Sequence, residues 1–283
     1  VQIPGTTWSS VSFSAWAAAA IKTDGTLWSW GYNETGVLGQ NDQNEKSSPV
    51  QIPGTTWAMT AHSNGEMIAT KTDGTLWAWG EGSTGRLGLN DQADRSSPTQ
   101  IPGTSWSKIS IGLHAAYATR TDGTLWAWGT NEQGQLGQNN RTNYSSPVQI
   151  PGTSWALIEA RWRGAMASRT NGTLFQWGSQ ENGALGLNTP ESSALSSPVQ
   201  LPGTTWPTSN INHLHGGMKF SGAIKTDGTL WTWGRNQYGA LGVPSVGNAN
   251  ISSPIQVGSN TDWDQVGGFT QEAMSFIQRD TTP

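Results

Sequence analysis

Four histidines are the residues of this chain with the widest chemical range, and all four fall in short segments unlike their surroundings. His62 lies in AHSNG (61–65), His114 in GLHAA (112–116), and His213 and His215 in NHLHGGMKF (212–220). The segments SFSAW (12–16), ARWRG (160–164) and GGFTQE (267–272) add Phe13, Trp16, Arg161, Trp162, Arg163 and Phe269, and Phe220 closes the fifth. Histidine offers metal ligation and proton transfer near neutral pH. His213 and His215 alternate, so on a strand they share a face, as two metal ligands would. No acidic residue recurs beside them, no cysteine exists, and no nucleophile has an identifiable base. Enzyme chemistry is therefore not expected, and neither a cofactor nor a metal. Trp and Arg dominate binding hot spots, so the set Phe13, Trp16, His62, His114, Arg161, Trp162, Arg163, His213, His215, Phe220 and Phe269 reads as partner-binding. For any one of them a structural role is the competing reading.

These segments interrupt a regular background. The element T-D/N-G-T starts at 23, 72, 121, 170 and 226, with spacings of 49, 49, 49 and 56. VQIPGTTW at Val1 returns at 50, 99, 148 and 199, and as a degenerate form at Ile255; GxLG closes at Gly39, Gly88, Gly137, Gly186 and Gly242. In AAAAIKTDGTLWSW, Asp24-Gly25 separates two apolar-rich runs, a strong hairpin signal. The Asp of this turn (Asp24, Asp73, Asp122, Asp227) is a turn residue; a calcium loop would need several oxygen ligands at alternate positions, and Asn171 fills the same place. Trp28 and Trp30 share one strand face and Leu27 takes the other. Fifteen of the 17 tryptophans occupy two repeat positions, which makes them core rather than a glycan-stacking ladder. SSPVQIPG brackets a short strand with prolines, which suits an edge strand or strand ends, and WSSVSF alternates into a further strand. Four short strands per period of about 49 residues predict an all-β chain, a β-propeller of four-stranded blades. Residues 1–283 are read as a single propeller that starts mid-repeat, with five full periods and a degenerate C-terminal half repeat. In IQRDTTP (277–283) the hairpin decays, so six or seven blades are expected in the complete ring, with upstream residues or a partner chain supplying the missing strands.

Charged residues make up only 12% of the chain and the net charge is −4, with no basic run, which argues against nucleic acid as a partner. No stretch is long and apolar enough for a membrane span. The polar segments after each LG (40–46, 89–95, 138–144, 187–195 and 243–251) read as solvated outer loops.

With TDGTLWAWGTNEQGQLG and SSPVQIPG, the chain resembles the regulator of chromosome condensation repeat family along essentially its whole length. Near-identical repeats of this kind look most like bacterial or phage members. The resemblance implies a propeller of four-stranded blades, commonly seven, closed by pairing the chain ends. In such a ring the six variable segments would emerge on one face. The founding member promotes nucleotide exchange through an inserted wedge, for which the even spacing leaves little room, and a bacterial relative inhibits a β-lactamase. The expected function is a non-enzymatic scaffold that presents its variable loops to a protein, to a surface glycan or to other subunits of a larger assembly. The setting would be extracellular, at a cell surface or on a virion; a secreted inhibitor or regulator of an enzyme or small GTPase is the alternative.

Overall fold

The computed structural model describes residues 3, 5–189, 193–267 and 275–279. It is all-β, and its strands follow the repeat. The first sheet holds β1 (Trp8–Phe13), β2 (Ala17–Lys22), β3 (Leu27–Gly31) and β4 (Lys46–Ile52); the second holds β5 (Trp57–His62), β6 (Glu66–Lys71), β7 (Leu76–Gly80) and β8 (Arg95–Ile101). The third comprises β9 (Trp106–Ile111), β10 (Ala115–Arg120), β11 (Leu125–Gly129) and β12 (Tyr144–Ile150); the fourth, β13 (Trp155–Arg161), β14 (Gly164–Arg169), β15 (Leu174–Gly178) and β16 (Leu195–Gln200). The fifth has β17 (Leu214–Gly216), β18 (Phe220–Ile224), β19 (Leu230–Gly234) and β20 (Ile251–Gln256), and β21 (Trp263–Gly267) pairs with β22 (Ser275–Gln278). All pairings are antiparallel between sequence neighbours, so these are propeller blades: five of four strands, and a two-stranded sixth among the described residues. The proline-bearing strands β4, β8, β12, β16 and β20 sit at sheet edges, where a missing N–H costs no ladder bond.

Two compact units share the chain, residues 1–130 with 142–150, and residues 131–141 with 151–283. In each, the repeat sequence explains how blades are made and joined. The Asp of TDG closes the hairpin: Asp24 Oδ1 accepts from the Thr26 N–H (2.9 Å) and hydroxyl (2.7 Å), and Thr26 Oγ1 accepts from the Trp28 indole (2.9 Å). The same relay recurs at Asp73, Asp122 and Asp227.

The two tryptophans of the WxW pair differ in role. The register slips by a residue at the second one in every blade, between Ala78 and Gly80 for instance, a bulge that re-aims that side chain. Trp79 and Trp128 of the first unit are wholly buried and donate to the carbonyls of Val37 (2.8 Å) and Arg86 (3.0 Å) in the preceding GxLG turn. Trp177 and Trp233 of the second unit do the same to Gln135 (2.7 Å) and Ala184 (3.1 Å). Burial of one such indole contributes on the order of 5 kcal/mol as an upper bound. The closing glycine lies under this ring: a Cβ on Gly88 would stand 2.8 Å from the Trp128 indole nitrogen. The first tryptophan of each pair is only half-buried, which revises the expectation that both are core. It meets the PGT tryptophan edge-on, as Trp77 meets Trp57 (6.2 Å, 73°), and the cation before TDG covers both: Lys71 lies 4.6 and 4.4 Å from the two ring centres. Lys22, Arg120, Arg169 and Lys225 repeat this cation–π sandwich.

The loops after LG are more than solvated connectors. Asn41, at φ 59°, donates its N–H to the Ser96 carbonyl (2.7 Å), and its side-chain oxygen accepts from Ser97 (3.0 Å). Asn90, Asn139 and Asn188 make the equivalent latch to Ser145, Ser196 and Ser252. Asn and the SSP serines therefore recur for a joining role.

Candidate functional site

Each four-stranded blade holds two variable residues at one fixed backbone position. The residue just before the second strand presents its carbonyl to the N–H of the residue just after WG: Trp16 to Tyr32 (3.0 Å), Gly65 to Glu81 (2.8 Å), His114 to Thr130 (2.9 Å), Arg163 to Ser179 (2.8 Å) and Lys219 to Arg235 (2.8 Å). The glycine of WG is what permits this approach, since a Cβ on Gly80 would stand 2.2 Å from the Gly65 carbonyl oxygen. A constant scaffold thus fixes the backbone of ten positions whose side chains differ in every blade. We call them the tip positions.

In the first unit these positions surround a cleft of about 1000 Å³ whose walls include Trp16, Tyr32, Ser63, Glu81, Arg86 and His114. Three of the variable segments meet there, 12–16, 61–65 and 112–116. Trp16 is 65% exposed and Phe13, at the end of β1, is also exposed. His62 is not a free surface group. Its ring nitrogens are buried without a hydrogen-bond partner of normal geometry among the described residues, the Ser12 backbone being its polar neighbour. Burial pushes its pKa down to about 4, so it is neutral at pH 7.

Beside the cleft lies a charge cluster that occurs in this blade alone. Glu66 stands where other blades have Ala17, Ala115, Gly164 or Phe220, and its side chain is 0% exposed. Arg86 Nη1 reaches Glu66 Oε2 (3.2 Å) and Glu81 Oε2 (3.0 Å). Burial nonetheless raises Glu66 to about 7, with Arg86 opposing it.

In the second unit the variable residues separate into interior and surface. Arg161 is 3% exposed and donates to the carbonyls of Ala184 (3.2 Å), Ser179 (3.3 Å) and Trp177 (3.4 Å). Phe220 is 1% exposed and part of the blade interior. Both are removed from a partner-contacting set by their burial. Trp162 and Arg163 form the turn between β13 and β14, half-buried and exposed respectively. Glu181 receives Lys219 (3.0 Å) and, more distantly, Arg163 (3.9 Å). His213 and His215 go to different neighbours: His213, its pKa lowered by burial, lies by Asp264, and His215 Nδ1 is 3.8 Å from Glu159 Oε1. They do not converge on one site, and the described residues contain no cluster of three His, Asp or Glu fit for a metal. Phe269 lies outside the described residues.

Tyr32, Glu66, Glu81 and Arg86 were not singled out from sequence. The signal was available in the repeat: after WG the five blades read Tyr, Glu, Thr, Ser and Arg, a variable column inside a constant motif.

Models of the regulator of chromosome condensation (RCC1) repeat match residues 24–61, 73–116, 122–159 and 227–267, more than half of the chain, and a second model of this repeat matches 106–135. No curated protein sequence matches. Among solved structures, human WBSCR16 superposes with a TM-score of 0.80 at 20% identity, over 96% of this chain and 72% of that one. Yeast RCC1 (Prp20), solved bound to Kap60, gives 0.78 at 20% identity over 93% and 66%. Prp20p from Saccharomyces cerevisiae, described with its binding properties to Gsp1p and histones, gives 0.79 at 19% over 92% and 67%. At such identities the likeness is one of fold, and the chain spans about two thirds of the length of the yeast proteins.

Proposed function

The chain belongs to the regulator of chromosome condensation (RCC1) repeat family, and on that premise we propose that it is a non-enzymatic binding propeller whose tip residues recognise a macromolecular partner, a protein before a glycan. One observation carries this reading: the backbone pairing of the tip residues is constant across five blades, while the side chains range from Trp and Tyr to Glu, Arg and Lys. Selection for folding alone gives no reason for a 65% exposed tryptophan at such a position. His62 is buried, and His213 and His215 go to different neighbours, which supports the non-enzymatic reading. Yeast RCC1 (Prp20), which shares the fold, was solved with a protein partner, and this favours a protein ligand over nucleic acid. A virion or cell-surface attachment role fits the low charge and the polar outer loops.

The test is capture of a partner from the native source by wild-type protein and by tip variants. Trp16→Ala, Arg163→Ala and Lys219→Ala should each weaken retention of the same protein and leave the circular dichroism spectrum unchanged. Retention that survives all three, or that depends instead on the outer loops 40–46 and 89–95, would refute the assignment.

A further inference from the structure

The cleft of the first unit has a charge balance that specifies its ligand. Two carboxylates, Glu45 and Glu81, and two cations, Lys46 and Arg86, line it, while Glu34, Asp42 and Glu66 are bonded to Tyr32, Lys46 and Arg86 of that lining. Both cations are already held. Lys46 Nζ is 2.9 Å from Asp42 Oδ2, and Arg86 spans Glu66 and Glu81. Glu34 accepts from the Tyr32 hydroxyl (2.5 Å), a bond that holds the phenol above its usual pKa, and the charges of Glu45 and Glu81 act in the same direction. Among the described residues Glu45, on the cleft wall and exposed, makes no hydrogen bond or ion pair.

Behind the wall, the Ser63 hydroxyl and the Glu66 carboxyl are buried as side-chain neighbours of one another. The aromatic component completes the pattern. Trp16 stands exposed on the rim, and the protein covers its own half-exposed tryptophans with cations in four other places.

From these features we infer that the cleft receives an arginine side chain of a partner protein, the guanidinium stacked on Trp16 and donating to the Glu45–Glu81 side. Arginine fits better than lysine, since its planar fork stacks on an indole while serving more than one acceptor. Arg86 does not repel it decisively, because Glu66 and Glu81 already neutralise that charge. The inference deepens the binding-face reading and rests on it for the existence of a partner.

The experiment uses full-chain protein labelled with 5-fluorotryptophan, the Trp16 signal being assigned by its loss in Trp16→Phe. The probes are N-acetyl-arginine methylamide, its lysine counterpart and the neutral isostere N-acetyl-citrulline methylamide. The Trp16 resonance should shift saturably with arginine, at a Kd in the millimolar range expected for one side chain, more weakly with lysine, and not with citrulline. Glu45→Gln, an exposed change that leaves folding intact, should weaken arginine about two- to fivefold. Equal shifts with citrulline, no saturation with arginine, or indifference to Glu45→Gln would overturn the inference. If arginine fails while Trp16→Ala still abolishes partner capture, the binding face stands without this ligand. If arginine binds while no tip variant affects capture, the functional reading falls instead.

Discussion

The two units answer the same structural problem with opposite charge. Their tip positions share one backbone pairing at 2.8–3.0 Å, yet the first carries Trp16, Tyr32 and Glu81 and the second Arg163, Lys219 and Arg235. The difference extends inward. The first unit buries a carboxylate, Glu66, and neutralises it with the guanidinium of Arg86. The second buries a guanidinium, Arg161, whose terminal nitrogens donate to three backbone carbonyls. A buried ion pair is vulnerable to pH through its acid, whereas backbone carbonyls do not titrate. The repeat therefore fixes where a side chain stands, and leaves its chemistry open.

That contrast can be broken most forcefully at the two arginines. Arg86→Met leaves Glu66 buried without its cation, and should cost on the order of 3–5 kcal/mol at pH 8 and distinctly less at pH 5, where Glu66 is protonated. Arg161→Met should cost about 3 kcal/mol at either pH, because the carbonyls it abandons do not titrate. Denaturant unfolding at the two pH values reads both, and a pH-independent Arg86→Met would erase the distinction.

Glu66 itself sharpens the comparison through linkage. Its folded pKa, about 7, lies above the ordinary 4.5, so the folded state holds the proton longer. Stability from this group is full below pH 4.5 and is lost as pH rises to 7, by on the order of 3 kcal/mol. His62 acts in the other direction. Its folded value, about 4, lies below the ordinary 6.5, so its contribution is lost as pH falls from 6.5 to 4. The two slopes oppose each other between pH 4.5 and 6.5. Glu66→Gln should expose the His62 slope, giving a variant that gains stability from pH 5 to pH 7 relative to wild type; parallel pH profiles would show Glu66 to be unperturbed.

A smaller effect separates the cation–π sandwiches. Arg120 lies between Trp106 and Trp126 at 4.3 and 4.4 Å, but Arg169 lies between Trp155 and Phe175 at 4.6 Å from each. Arg120→Met should cost about 1 kcal/mol and Arg169→Met less, as Phe is the weaker partner. Thermal midpoints that rank them in reverse would contradict the role given to the cation.

The repeat made the blade legible. Asp24-Gly25, the proline-bearing edge strands and the alternating WSSVSF each act locally, through turn chemistry and strand period, and the structure has them where the sequence puts them. The burial of Arg161 was not legible. ARWRG looks like an exposed basic loop, but β13 runs on through Arg161, and the carbonyls that receive it lie 16 to 23 residues later. Glu66 hid for the same reason, since the Arg86 that permits its burial is 20 residues away. Phe220 resembled a loop aromatic because the fifth repeat carries extra residues that obscure where β18 starts. The cations at 22, 71, 120, 169 and 225 were visible as a column, but their pairing with rings depends on how PGT and WxW tryptophans meet in space.

The central claim is that the tip positions carry recognition and the scaffold does not depend on them. The most direct measurement is a binding isotherm for the captured partner with wild-type protein and with the triple variant Trp16→Ala/Arg163→Ala/Lys219→Ala, alongside their thermal midpoints. The predicted result is a Kd weakened at least tenfold with midpoints within about 2 °C of each other. Unchanged affinity, or an affinity loss matched by a collapse of the midpoint, would contradict it.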